Sequence, residues 1–369
     1  MRNFGVFFQK AAIFSLCLFL FGFPISSAPV ISAKSAILIN ADTGEAVAEY
    51  NADEKLGMAS TTKIMTAVIA IESGKLDEKC IIPKEAIGVE GSSLYLQSGE
   101  SMTLRELVTG LMLRSANDAA EAIAVIVGGS VDNFVAMMNE KATELGLYNT
   151  HFCNPHGLSS DEHYTTAREL ALITAYALKN ETFCEICSTQ SATLPGVEAP
   201  RYVANHNKML KLYDDVYGVK TGFTKATGRC LVTAAKRDGV NLIAVTLNAP
   251  DDWNDHRSLL DYGFAELECV SLAKAGDQVA ALPILGGDKD SVTVYVKEDI
   301  SACLNKSRGS IVERIELNRP KFAPVYAGEE VGRIVYLLDG KEIASSPLCT
   351  AKFVGARSQN KTFLEKIFN

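Results

Sequence analysis

Residues 60–71 read STTKIMTAVIAI, a polar turn followed by an almost wholly apolar run that stops at Ser73-Gly74. Because the run is apolar on every helical face, it predicts a helix buried in the middle of its domain. The polar first turn, which contains Ser60 and Lys63, would then emerge at one end of the core. Since the two residues are three apart, their side chains would share one face of the helix.

The flanking sequence predicts strands at both ends of the first domain around a helical middle. Asp42-Thr43-Gly44 is typical of a hairpin turn, and Thr103 with Glu106 forms a capping box that marks a helix start. Thr166 with Glu169 forms a second box of the same kind. Helices are predicted over 103–113, 118–127, 130–146, 166–178 and 255–264, and strands over 36–40, 45–50, 216–220, 230–236 and 240–247. This order favours an α+β fold with helices packed on an antiparallel sheet.

The length of 369 residues favours two domains. We place the first at 34–267 and a small all-β domain at 268–353, where short apolar runs are broken by Gly, Pro and Asp. The remaining residues, 354–369, form a tail.

The N-terminal segment 1–33 is interpreted as a signal peptide. Arg2 and Lys10 precede a short apolar run, and Ile31-Ser32-Ala33 offers a cleavage site. A retained N-terminal anchor is the alternative. A signal peptide predicts an exported protein.

The net charge of −8 argues against nucleic acid as a partner, because no basic stripe is available to neutralise phosphates. No H-E-x-x-H motif or other ligand cluster predicts a metal, and no cofactor is expected. The eight cysteines beyond the signal segment predict no particular disulfide pairing. Cys184 and Cys187 form a C-x-x-C, which we interpret as buried or incidental thiols.

Three short motifs carry the chemistry when they are taken together and in order: S-x-x-K at Ser60/Lys63, S-x-N at Ser115/Asn117, and K-T-G at 220–222. S-x-x-K and S-x-N also occur elsewhere in the chain, and each single match is equally typical of a helix cap, a turn or a strand end. The ordered set is the signature of β-lactamases and penicillin-binding proteins. Ala116 stands where that signature has aspartate.

The residues of the set suit acyl transfer to a serine. A serine hydroxyl attacks well only when a neighbouring base takes its proton. Lys63 can act as that base if burial and a nearby cation, here Lys220, lower its pKa. The backbone N–H groups of Ser60 and Phe223 are candidates for the oxyanion hole.

The other motif residues are assigned to substrate binding and proton relay. Ser115 would pass a proton to the leaving amine, and Asn117 would position the substrate and Lys63. Gly222 would let the substrate backbone approach the strand edge. The side chains expected to face the terminal carboxylate of the substrate are Lys220, Thr221 and Thr224.

The chain resembles the low-molecular-mass penicillin-binding proteins, specifically the D-alanyl-D-alanine carboxypeptidases. The similarity lies in 59–67, 114–120, 154–158 and 218–224, and it covers nearly the whole mature chain. It implies a β-lactamase/transpeptidase-like first domain followed by the small all-β domain.

The resemblance also implies a function in the cell wall and in cell shape, and a location at the extracellular face of the cytoplasmic membrane or in the cell wall. A serine hydrolase of this kind removes the terminal D-alanine from peptidoglycan muropeptides ending in D-Ala-D-Ala, through an acyl-enzyme on Ser60. β-Lactam antibiotics would acylate the same serine and act as inhibitors. Many relatives bind the membrane through a C-terminal amphipathic helix. Peripheral membrane contact is therefore an expectation for the tail, in which apolar residues at 363, 364, 367 and 368 share one helical face, although the segment is short.

The chain departs from some relatives at two positions. Phe223 stands where some carry histidine, and the 205–207 segment lacks an arginine that others have there. Arg229 is considered as the residue that completes carboxylate recognition.

Four alternatives remain open at this point. A class A-like β-lactamase needs a glutamate between the second and third motifs, and Glu162 lies in that region without the expected surrounding sequence. A D,D-endopeptidase shares every motif. A non-catalytic penicillin-binding scaffold is disfavoured by the intact motif residues. A Ser-His-Asp triad lacks a G-x-S-x-G elbow, so His156 is interpreted as ordering its loop.

Overall fold

The computed structural model describes residues 28–318 and 321–357. Most of the predicted signal peptide, residues 1–27, lies outside the described residues. The apolar face predicted for the tail, at 363–368, lies outside them as well.

The first domain is built on an antiparallel sheet whose strands follow the order β2-β1-β9-β8-β7. Two further hairpins, β3–β4 and β5–β6, lie apart from that sheet. The strands described for this domain are β1 (Ser35–Asn40), β2 (Ala46–Tyr50), β3 (Lys79–Ile81), β4 (Ser101–Thr103), β5 (Ser191–Leu194), β6 (Arg201–Ala204), β7 (Val216–Thr224), β8 (Gly228–Arg237) and β9 (Val240–Leu247).

Helices cover both faces of this sheet and create two apolar cores. The helices described are α1 (Lys63–Glu72), α2 (Leu104–Leu113), α3 (Asn117–Gly128), α4 (Val131–Glu144), α5 (Ala167–Ala177), α6 (Glu181–Ser188), α7 (Met209–Leu212) and α8 (Asp252–Glu266). Helix α1 is buried from Lys63 to Ile71 and contacts α2 to α6. The prediction that the apolar run at 64–71 forms the central helix is therefore confirmed.

Within the part of the chain that the structure describes, no single helix is long and apolar enough to cross a membrane. Helices α3 and α4 meet that test of length and composition only as a pair, and they are bent by 85° at the break between them.

The second domain is all-β. Its main sheet follows the order β14-β16-β17-β12-β11-β15, and β10 pairs with β13. Val294, Ile334 and Leu348 lie in its apolar core. The strands are β10 (Leu267–Ala273), β11 (Gln278–Leu285), β12 (Ser291–Val296), β13 (Ile300–Asn305), β14 (Ile311–Leu317), β15 (Lys321–Phe322), β16 (Glu330–Leu338) and β17 (Lys341–Thr350).

A disulfide joins Cys269 on β10 to Cys303 on β13, at directly paired positions of the two strands. The sequence predicted no pairing, because the two cysteines are 34 residues apart and only the strand register brings them together. Cys184 and Cys187 lie in α6 as free thiols. Burial raises the pKa of the Cys187 thiol, so it is an inert core residue.

Several local predictions are confirmed, several others differ by a few residues at their ends, and the following ones are wrong in part. The strand at 240–247 and the capping box of Thr103 with Glu106 are as predicted. The second predicted capping box, Thr166 with Glu169, is only half formed. Thr166 caps α5, but the Glu169 carboxylate accepts hydrogen bonds from Asn149 N–H and Thr150 Oγ1 instead. The strand predicted at 216–220 is too short, because β7 stays paired with β8 as far as Thr224.

Candidate active site

Ser60 lies in a short 3-10 turn, Ala59–Thr62, that leads directly into α1. Thr61 Oγ1 donates to Met58 O at 2.6 Å and Thr62 Oγ1 donates to Ala59 O at 2.7 Å. Ala59 adopts a positive φ of 47°, which is strained for a residue with a side chain. The serine predicted to begin the helix therefore lies in a tightly wound turn just before it.

Lys63 is fully buried, and its amine contacts three oxygen atoms. Nζ donates to Asn117 Oδ1 at 2.7 Å and to His156 O at 2.6 Å, and it lies 2.9 Å from Ser60 Oγ. Burial lowers the pKa of Lys63 well below its usual value, and the charge of Lys220 lowers it further. When the amine is neutral, the two carbonyl oxygens accept its two N–H groups. The lone pair of the amine is then left to face the Ser60 hydroxyl.

Ser115 and Asn117 lie at the break between α2 and α3, as predicted. Ser115 has a positive φ of 61°, and Asn117 is the first residue of α3. Asn117 Nδ2 donates to Glu90 O at 2.5 Å, and its backbone N–H donates to Ser92 O at 2.6 Å. These bonds fix the amide so that its oxygen faces Lys63.

The loop before Leu96 is held in turn by Asp118. This buried carboxylate accepts from Ser93 Oγ at 2.6 Å, from Leu94 N–H at 3.0 Å and from Leu96 N–H at 3.1 Å. Asp118 therefore fixes the segment against which Asn117 is oriented. Sequence reasoning placed no role on this residue.

Lys220 is buried on β7, and its amine reaches the second serine. Nζ donates to Ser115 Oγ at 3.0 Å and to Thr221 O at 2.9 Å. Burial lowers the pKa of Lys220 to about 7. The site thus contains two serine–lysine pairs, Ser60 with Lys63 and Ser115 with Lys220.

Gly222 brings β7 against the turn that carries Ser60. A Cβ at this position would lie 3.0 Å from Ser60 N and 3.1 Å from Met58 O. Both are backbone atoms, so only glycine allows this approach without a shift of the backbone. The neighbouring Phe223 ring is 61% exposed and stands at the rim of the cleft.

A cleft of about 330 Å³ opens above Ser60 and contains most of the predicted site residues. Arg229 lines it, and its Nε pairs with Asp252 Oδ1 at 3.1 Å. Thr224 is not among the lining residues, and neither are the buried Lys63, Asn117 and Lys220. The Thr224 hydroxyl bonds to those of Ser159 and Thr227. The lining residues are Ser60, Ser92, Ser115, His206, Lys208, Thr221, Gly222, Phe223, Arg229, Asp252 and Trp253.

The loop at 154–158 contributes a backbone group that sequence reasoning missed. His156 O accepts from Lys63 Nζ, and Ser60 Oγ lies 3.4 Å from the same oxygen. Gly157 has a φ of 91°, and a Cβ there would overlap Ala59 O. The available signal was the resemblance of this segment to the family, since a backbone carbonyl leaves no trace in residue type.

Glu162, considered for the β-lactamase alternative, is exposed and does not line the cleft. Its backbone oxygen accepts from His151 Nδ1 at 2.6 Å. It therefore does not occupy the position of a deacylating base.

Two family profiles match the chain in succession. The profile of D-alanyl-D-alanine carboxypeptidase matches residues 24–251, and that of the penicillin-binding protein 5 C-terminal domain matches residues 268–356. Among similar proteins, D-alanyl-D-alanine carboxypeptidase DacF of Bacillus subtilis (strain 168) is 35% identical over 86% of this chain and 84% of its own. DacA of Escherichia coli (strain K12) is 33% identical over 88% and 84%.

Solved structures agree with this assignment. Penicillin-binding protein 5 from Haemophilus influenzae has a TM-score of 0.70 and 31% identity, over 89% of this chain and 99% of its own. The peptidoglycan synthesis regulatory factor PBP3 of Streptococcus pneumoniae has a TM-score of 0.76 and 26% identity, over 88% and 100%. With its paired serines and lysines and its two matched domains, the chain belongs to the D-alanyl-D-alanine carboxypeptidase family.

Proposed function

We propose that this protein is a serine-type D-Ala-D-Ala carboxypeptidase that removes the terminal D-alanine from peptidoglycan peptides. The observation that carries the proposal is the 2.9 Å contact between Lys63 Nζ and Ser60 Oγ in a fully buried amine. The substrate is inferred from the names of the relatives, and the reaction is inferred from the geometry of the site.

Acylation begins with the neutral Lys63. Its lone pair takes the proton of Ser60 Oγ as that oxygen attacks the carbonyl carbon of the penultimate D-alanine. The backbone N–H groups of Ser60 and Phe223 are assigned to the developing oxyanion, where fixed donors stabilise the transition state. The ammonium formed on Lys63 remains bonded to Asn117 Oδ1 and His156 O.

The second serine–lysine pair, Ser115 with Lys220, acts on the leaving group. Lys220 and Thr221 bind the terminal carboxylate of the substrate, and Ser115 Oγ passes a proton to the nitrogen of the departing D-alanine. Lys220 Nζ, 3.0 Å from Ser115 Oγ, restores that proton. Lys63 then releases its proton to solvent and Lys220 regains one, so that both amines return to their starting states. The neutral Lys63 takes a proton from the water that attacks the ester and returns it to Ser60 Oγ as the ester bond breaks.

Asn117 and Gly222 hold the peptide in this reaction. The Gly222 backbone leaves room for the substrate to lie along β7 as an added strand. Thr224, whose hydroxyl is engaged by Ser159 and Thr227, acts by fixing the end of β7. β-Lactams acylate Ser60 by the same attack, and the acyl group they leave on the serine is hydrolysed slowly.

We also propose that the protein acts outside the cytoplasm, at the outer face of the cytoplasmic membrane or in the cell wall. The signal-like sequence at 1–33, the disulfide between Cys269 and Cys303 and the location of peptidoglycan support this proposal. Peripheral membrane contact through the tail is part of it. Fractionation of expressing cells, with N-terminal sequencing of the product, tests both: an uncleaved cytoplasmic protein would refute export, and a mature protein absent from membranes would refute anchoring.

The activity is tested with the purified mature protein and a pentapeptide ending in D-Ala-D-Ala, with Ser60→Ala alongside. Release of one D-alanine per peptide by the wild type alone supports the proposal and the nucleophile together. Cleavage of cross-linked dimers into monomers, without release of D-alanine from the pentapeptide, would indicate an endopeptidase. If fluorescent penicillin fails to label the wild type, Ser60 is unreactive and the catalytic proposal is wrong.

A further inference from the structure

Glu121 is a largely buried carboxylate behind the site that the mechanism above leaves without a role. It lies on α3 four residues after Asn117, and its side chain is 18% exposed. Oε2 is buried and has no hydrogen-bond partner among the residues that the structure describes. Burial raises the pKa of this carboxyl. Buried polar atoms without partners are uncommon in proteins, and each needs an explanation.

The group that Glu121 faces is the imidazole of His156. Glu121 Oε1 lies 3.9 Å from His156 Nε2. On the other side of the ring, Leu158 N–H donates to His156 Nδ1 at 3.2 Å, so Nδ1 is an acceptor. Burial lowers the pKa of His156 to about 3, and the ring is neutral. Its proton is therefore on Nε2, the ring nitrogen that lies 3.9 Å from Glu121 Oε1.

The backbone of His156 connects this pair to the nucleophile. His156 O accepts from Lys63 Nζ at 2.6 Å, and Ser60 Oγ lies 3.4 Å away. Asn117, which supplies the other carbonyl acceptor of Lys63, lies one helical turn before Glu121. Both acceptors of the Lys63 amine are thus connected to one face of α3, one through its own side chain and one through the imidazole of His156.

We propose that Glu121 is a positioning residue, whose carboxylate attracts the Nε2–H of His156 across 3.9 Å and so holds the 154–158 loop with its carbonyl on Lys63. The inference rests on the proposed function of Ser60 and Lys63. Glu121 touches neither Ser60 nor the cleft, so its effect on the reaction passes through His156.

If Glu121 positions His156, removal of its carboxylate lowers activity without lowering thermal stability. Glu121→Val removes an unpartnered buried oxygen, so the thermal midpoint stays unchanged or rises. The same variant releases the His156 ring, so penicillin acylation and kcat fall by about tenfold or more, while KM changes by less than about twofold. Glu121→Gln keeps an oxygen acceptor of the same length and retains the acylation rate to within about threefold.

The experiment measures acylation by fluorescent penicillin, D-alanine release and thermal unfolding for Glu121→Val and Glu121→Gln. Glu140→Val, at an exposed position on α4, is the matched control and keeps full acylation. Wild-type acylation by Glu121→Val would overturn the proposal. So would equal losses of activity in both Glu121 variants accompanied by a lower thermal midpoint, because that pattern indicates a purely structural residue.

A readout independent of activity separates this proposal from the proposed function. In ¹⁵N-histidine NMR spectra, the wild type shows the Nε2–H tautomer of His156, and Glu121→Val shifts the Nε2 signal and speeds exchange of its proton. An unchanged His156 signal would overturn the link between Glu121 and His156. Failure of the wild type to react with penicillin would instead refute the proposed function, and the NMR comparison would still decide the role of Glu121.

Discussion

Lys63 on α1 and Lys220 on β7 are both buried, and the charge of Lys220 adds to burial in lowering the pKa of Lys63. Asp118 opposes this effect by raising the pKa of Lys63. Each lysine reaches a different serine, at 2.9 Å for Ser60 and 3.0 Å for Ser115. Attack on the substrate and departure of the leaving group are thereby given to separate amines, and the pKa of Lys63 depends on the charge of Lys220.

Replacement of Lys63 should greatly lower the rate at which Ser60 attacks its substrate. We expect Lys63→Met to lower the rate of acylation by penicillin by about 10²–10⁴-fold, since Ser60 loses its general base. Stopped-flow measurement of the acylation rate checks this. Lys75→Met, at an exposed position after α1, serves as the control and should react like the wild type. Rapid acylation of Lys63→Met would mean that another group activates Ser60.

The pH dependence of acylation should be bell-shaped. Lys63 acts as a free base, so the rate falls as the pH drops through its lowered pKa. Lys220 binds the substrate carboxylate as a cation, so the rate also falls as the pH rises above about 7. Rates of acylation measured from pH 4 to 10 test both limbs. A profile that rises steadily to pH 10 would contradict the assignment of Lys220.

Removal of the second lysine should move the acid limb. Lys220→Met takes away a positive charge that lowers the pKa of Lys63. The pKa of Lys63 then rises, and the acid limb of the acylation profile shifts to higher pH. The comparison uses the midpoint of the limb, because the variant also loses carboxylate binding and reacts more slowly throughout. A midpoint that stays in place would show that the two amines are not coupled.

Replacement of Asp118 is expected to lower the stability of the protein. Asp118→Asn replaces an acceptor of several N–H and O–H groups with a side chain that carries its own donors. We expect a loss of about 1–3 kcal/mol in the free energy of unfolding, measured by urea denaturation. The exposed Asp132→Asn on α4 is the control. Unchanged stability in Asp118→Asn would show that the 93–96 loop is held by other contacts.

The disulfide of the second domain should stabilise the fold without affecting the chemistry. Because it closes a loop between residues 34 apart, Cys303→Ser is expected to cost about 2–4 kcal/mol of stability. Acylation of Ser60 should be unchanged, and reduction of the wild type should reproduce the loss. If the variant loses activity while it stays folded, the second domain would have a part in catalysis.

The fold was largely predictable where a local pattern agrees with its surroundings. The helix after Ser60 was predicted because its run is apolar on all sides, and a helix of this kind can only be buried. The strand at 240–247 was also predicted with its full length. The end of β7 was not predicted, because a glycine such as Gly222 usually marks the end of a strand. In the structure, the missing side chain of Gly222 instead lets the strand approach Ser60.

By itself, the sequence determined the chemical groups of the site and their order, since S-x-x-K, S-x-N and K-T-G are specified by side-chain type and spacing. Only the tertiary structure decided what surrounds them. The carbonyl of His156 on Lys63, the bonds from Asp118 to the 93–96 loop, the carboxylate of Glu121 behind the imidazole and the pairing of Cys269 with Cys303 all join distant segments. Contacts of this kind depend on how helices and strands pack and on backbone atoms that every residue shares, so residue types along the chain do not reveal them.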